Sequence, residues 1–174
     1  MAHRAEIEAE LERALAELES GVRALTPTDL VRPCTDSETA GAPAWSAKDH
    51  VAHLIRIERA FLGIATRAAA GDPDPIAFSS LGADQDAIRA AIHRENQRHV
   101  EELSSRSLDQ LLDELRAARA DTLAFLAAQD DAVLASPIPG SPWADGTIGG
   151  VLGRNADHQR NHMRQFQEGL GVRT

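Results

Sequence analysis

The sequence predicts an all-α fold, a four-helix bundle with long crossover loops, as a single domain over residues 1–174. Three observations lead there. Apolar residues recur every three or four positions over long stretches, the period of one helix face. No segment alternates apolar and polar residues as a half-buried strand does. Hydrophobic residues make up 43% of the chain but aromatics only 3%, with no Tyr. The core must therefore be built from Ala, Leu, Ile and Val, and an Ala-rich composition favours helix.

The first helix is expected from about His3 to Leu25, with His3 a solvated terminal residue. Ile7, Leu11, Leu15, Leu18, Val22 and Leu25 step by four, four, three, four and three, so they share one face. The stretch TPTDLVRPCTDSETAGAPAW, with three prolines and a glycine, reads as a long loop. Long loops in compact domains often carry function. Ser46 is a good N-cap for a second helix, and Asp49 suits its first turn. That helix should end near Ala70, before GDPDP.

A third helix is expected from about Asp84 to Leu103. Ser107 caps a fourth segment, with Leu108, Leu111, Leu112, Leu115, Thr122, Phe125 and Leu126 on one side. With only SSRS between them, the two read as one long broken helix. SPIPGSPWADG forms the next loop. The last helix is expected from near Thr147 to EGLGVRT, where Gly169 and Gly171 are candidate C-caps.

The formal net charge of −9 argues against nucleic acid and anionic membranes as partners. Cys34 is the only cysteine, so no intrachain disulfide forms and a reducing compartment fits. The charged N-terminus does not suit a signal peptide, and no apolar run approaches the roughly 20 residues of a membrane span. A cytoplasmic protein is expected.

The histidines carry the chemistry. His50, Leu54, Ile57, Phe61 and Ile64 share one face of the second helix, and His53 lies about 60° to the side of His50. On the last helix Ile148, Val151, Leu152, Asn155, His158, His162 and Phe166 form one stripe, with Gln159 beside it. His158 and His162 are thus expected to point inward, one turn apart. Each buried imidazole needs a partner, because an unpaired buried polar group costs about 1–3 kcal/mol. One ion satisfies several rings at once, and histidines at i and i+4 face one side of a helix. His53 is the natural third ligand. Three neutral imidazoles suit Zn, Ni, Cu or Fe, with positions left open for water or substrate. Imidazoles titrate near 6.5, so proton competition is expected below that pH.

His50 and Asn155 flank these residues and are expected to line the pocket without binding the ion. His99 reads as a core-edge residue. Glu58, on the buried side of its helix, is expected to pair with an Arg of the first helix. It lies about 140° from His53 and so outside the site. Cys34 reads as a loop thiol. No nucleophile elbow, phosphate loop, Cys pair or nucleotide fingerprint is present.

WSAKDHVAHL, followed about a hundred residues later by DHQRNHMRQF, resembles the DinB-like superfamily of metal-binding four-helix proteins. That superfamily includes mycothiol-dependent maleylpyruvate isomerases and bacillithiol transferases. Trp45, Ser46, His53 and Leu54 match its first motif, and His158 and His162 its H-x-x-x-H. The resemblance implies an up-down-down-up bundle and a divalent metal on His53, His158 and His162. It also implies a homodimer, and a transferase in which a low-molecular-weight thiol attacks a small electrophile. Trp45, His50 and Asn155 would border that site. Two other readings fit the same residues: a metal-dependent hydrolase, and a non-catalytic bundle that binds metal or a small molecule.

Overall fold

The computed structural model describes residues 4–82 and 84–172, so His3 falls outside the described residues. Its helices are, in chain order, α1 (Arg4–Arg23), α2 (Pro27–Val31), α3 (Ala47–Ala69), α4 (Phe78–Leu81), α5 (Gln85–Leu103), α6 (Leu108–Ala128), α7 (Asp131–Leu134) and α8 (Ile148–Leu170). No strand occurs among the described residues. No helix among them is long and apolar enough to cross a membrane.

The long helices begin where the capping residues dictate. At α3 the Ser46 side chain accepts from the Asp49 amide, and Asp49 accepts from the Ser46 amide in return, a reciprocal cap. Ser107 and Gln110 repeat the arrangement at α6. Thr147 caps α8, accepting from the Gly150 amide at 3.0 Å. The C-cap of α8 is Gly171, at φ 70°, a left-handed conformation that glycine adopts without strain. Gly169 lies inside the helix instead. A Cβ there would run into the Cys34 carbonyl, so its bareness lets the α2–α3 loop pack on the end of α8.

Contacts fix the helix directions. Ile7 meets Gly149 and Gly21 meets Met163, so α1 and α8 run parallel. Glu19 pairs with Arg116 and Arg23 with Asp109, so α1 and α6 are antiparallel. His50 meets His162 and His53 meets His158, so α3 and α8 are antiparallel. The bundle of α1, α3, α6 and α8 is therefore up-down-down-up.

The helix α5 packs outside this bundle, against α3. Lys48 Nζ donates to the Ser104 carbonyl, while Arg56 Nε donates to Asn96 Oδ1 nearer the middle of α5. That makes α5 antiparallel to α3, whereas α6 runs with α3. The chain thus turns back at residues 104–107, and α5 and α6 are not one broken helix. The stretches read as loops also hold α2, α4 and α7. Helices of four or five residues complete barely one turn and show no periodicity to read. Thr26 caps α2, with Pro27 at its start, and Asp130 caps α7.

The core falls into two apolar clusters. One gathers Leu18, Val22, Val51, Ile55, Leu111 and Phe166, and the other Leu11, Phe61, Leu126, Val151 and Leu152. Between them on α3 and α6 lies a buried polar group. Arg119 holds Glu58 through two bonds of 2.8 and 2.9 Å, and Thr122 Oγ1 donates to Glu58 at 2.8 Å. Arg119 also donates to the Leu11 carbonyl. The expected partner for Glu58 from α1 is thus replaced by an arginine of α6, and α1 contributes only a backbone oxygen. Two charges buried to 1% exposure persist because each is satisfied by several hydrogen bonds.

Candidate metal centre

Two helices and one loop build the centre. The N-terminal turns of α3 carry His50 and His53, and the middle of α8 carries His158 and His162. The loop between α2 and α3 closes over them. It is pinned at its neck, where Trp45 N donates to Thr35 O at 2.7 Å and Thr35 N to Trp45 O at 3.1 Å.

His53, His158 and His162 offer ring nitrogens that lie within 4.8 Å of one another, a grouping able to hold a metal ion. His53 is 1% exposed, and neither of its ring nitrogens has a hydrogen-bond partner. His158 Nδ1 is likewise buried and unpartnered. Orphaned buried nitrogens of this kind are costly unless something fills the space between them. A neutral three-imidazole donor set suits a borderline divalent cation. The residues present therefore fit the expected group.

His162 is tied on both sides. Its Nδ1 lies 2.7 Å from His50 Nδ1, and its Nε2 lies 2.9 Å from His158 Nε2. His50 Nε2 in turn meets Thr35 Oγ1 at 2.8 Å. With Nδ1 engaged by His50, Nε2 is the nitrogen His162 has left for an ion. His162 Nδ1 must then carry the proton and donate to His50 Nδ1, and His50 must donate from Nε2 to Thr35. With an ion on His162 Nε2, one chain of three groups would hold both rings in these tautomers.

Burial sets the charge state. It pushes His50 down to about 4, with the nearby His158 adding to the effect. His158 also falls to about 4, through burial and then the Arg154 charge. Burial carries His162 lower still, helped by His158 and His50. His53 also falls well below its ordinary value, chiefly by burial and then by the neighbouring rings. For His50 desolvation is the dominant cause. All four rings are neutral at pH 7, which leaves His53, His158 and His162 a lone pair each for a cation.

Trp45 forms a wall. Its ring packs 5.0 Å from His53 and meets His50 edge-on at 5.5 Å. Its Nε1 donates to Gln97 Oε1 at 2.9 Å. Asn155 is buried one turn before His158 with its Nδ2 unpartnered, and lines neither neighbouring cavity. Gln159 is buried without any side-chain partner. His99 is half-buried on α5, as its core-edge position suggested, and its Nε2 has no partner.

Two cavities flank the rings. The larger, about 560 Å³, opens beside His53 and His158 between α3, α5 and α8. The smaller, about 440 Å³, is reached past Thr35, His50 and His162. His158 and Glu38 line both. Glu38 is held by Asn96, whose Nδ2 donates to Oε2 at 2.7 Å. Sequence reasoning missed Thr35, Glu38, Asn96 and Gln97. The first two lie in a loop without periodicity. Asn96 had a signal: it follows Ile88 and Ile92 at steps of four on the inner face of α5.

The sequence profile of the DinB superfamily matches residues 38–166. The crystal structure of an uncharacterised protein from Escherichia coli UTI89 is similar over 98% of this chain and 96% of its own, with a TM-score of 0.69 at 18% identity. No curated protein matches the chain. The up-down-down-up bundle, the histidines at both motif positions and a profile match over most of the length agree: the chain belongs to the DinB superfamily.

Proposed function

We propose that this protein is a divalent-metal-dependent transferase that presents a low-molecular-weight thiol to a small electrophile, with His53, His158 and His162 as the metal ligands. The observation that carries the reading is His53: a fully buried imidazole, unpartnered at both nitrogens, beside two further rings and an open cavity. When bound, the ion lowers the pKa of the thiol and orients the sulfur. The chain's own groups do the rest. His50, backed by Thr35, engages His162 Nδ1 and so would leave Nε2 to the ion. Trp45 keeps water from one side of His53. The 560 Å³ cavity accepts the electrophile beside His53 and His158, a volume usual for small-molecule sites.

The test is elemental analysis of the purified protein, followed by turnover of a chromogenic electrophile with and without a thiol. Stoichiometric metal and thiol-dependent turnover lost in His53→Ala support the proposal. Hydrolysis without thiol would move the assignment to a hydrolase. Full metal occupancy with no turnover of any kind would leave a binding protein.

A further inference from the structure

The larger cavity has an uneven lining. Its inner wall is apolar, formed by Ile57, Phe61, Ile92 and Trp143, with the Trp143 ring packed 5.2 Å from Phe61. Its rim is cationic: Arg89 from α5 and Arg154 from α8 both line it. This runs against the chain's formal net charge of −9. Other arginines are spoken for: Arg116 by Glu19, Arg160 by Glu10 and Glu17, Arg119 by Glu58. Arg89 and Arg154 have no ion pair among the described residues.

The one carboxylate in the lining is Glu38, and its Oε2 is engaged by Asn96, which itself accepts from Arg56. Glu38 is thus turned toward α5 and pairs with neither rim guanidinium; Arg154 also lines a second cavity, with Glu10, Asp145 and Asp157. Arg154 lies four residues before His158, one helical turn or about 6 Å along the axis. Its charge is close enough to act on the His158 ring.

We infer that this cavity selects a small carboxylate with an apolar body. The carboxylate is held at the rim by Arg154 and Arg89, and the body lies on Ile57, Phe61 and Trp143. The reacting atom then falls about one helical turn from the carboxylate, over His53 and His158. Guanidinium suits this role because its planar fork matches a carboxylate in two parallel hydrogen bonds. The position of the reacting atom rests on the proposed metal centre, whereas recognition of the carboxylate does not.

The experiment uses 3-phenylpropanoate and its neutral isostere 3-phenylpropanamide. Each is titrated calorimetrically into the full-length protein, as purified and after chelation. The carboxylate is expected to bind at least about 10-fold more tightly than the amide in both forms, and less tightly as salt rises. Arg154→Gln should abolish the preference, and Arg154→Lys should keep part of it. Arg154 is exposed, so unchanged circular dichroism will show that the variants fold. Equal binding of the two probes, or no binding of either, overturns the inference. So does a preference that vanishes on chelation, because the ion and not the arginines would then hold the carboxylate. A protein that prefers the carboxylate yet never turns over a thiol keeps this inference and loses the transferase assignment.

Discussion

His50 Nδ1 and His162 Nδ1 lie 2.7 Å apart, joining the first turn of α3 to the middle of α8 across the mouth of the candidate centre. Through this bond, and the contact of His50 Nε2 with Thr35 Oγ1, the ring of His162 is tied to α3 and to the loop before it. Removing His50 should therefore weaken metal binding without touching a ligand. His50→Ala is expected to lower affinity by about 10–100-fold, the usual effect of losing a group that orients a metal histidine. Thr35→Val should do the same more mildly. Competition against a chromophoric chelator measures both, and unchanged affinity in His50→Ala would show that His162 needs no such support.

His53 should trade stability for function. In the metal-free protein its two ring nitrogens are buried without partners. His53→Leu is therefore expected to abolish stoichiometric metal binding while raising metal-free stability by about 1–3 kcal/mol. Urea midpoints in the presence of chelator decide the matter. A lower midpoint would mean that the ring is already satisfied, for instance by internal water.

The Glu58–Arg119 pair predicts a non-additive result. Arg119→Met leaves the Glu58 carboxylate buried at 1% exposure and short of its main partner. It should cost about 3–5 kcal/mol, and Glu58→Leu should cost a similar amount. The double variant should recover most of that loss, since two apolar chains of similar length leave no charge behind. Chemical denaturation of all three gives the coupling energy directly.

Acid should destabilise the metal-free protein in a defined window. Unfolded histidines titrate near 6.5, whereas burial holds His50 and His158 at about 4 in the fold and lowers His53 and His162 as well. The unfolded chain binds more protons between these values, so stability rises with pH there. The contribution is present in full above 6.5 and is lost as pH falls through 6.5 toward 4. Composition suggested that metal affinity would fall from 6.5 downward. The lowered values move proton competition at the folded site well below 6.5. Urea midpoints with chelator at pH 7.5, 6 and 5, beside metal titrations at the same values, test both statements.

Much of this protein was legible in one dimension. Helix periodicity and capping residues located α3, α5 and α8, the end of α1 and the start of α6 to within about two residues, because both signals are local. One i-to-i+4 pair and one offset of three brought forward His158, His162, His50 and His53, because helical phase alone says which side chains share a face. The tertiary structure decided everything that depends on which faces meet. It paired Glu58 with Arg119 of α6, a choice among arginines that no spacing encodes. It turned the chain back between α5 and α6, where SSRS carries no direction. It brought Thr35, Glu38 and Trp45 over the histidines from an aperiodic loop, through a two-residue bridge and a bare Gly169. It also set the rings' protonation, because desolvation is a property of the packed assembly and of no residue by itself.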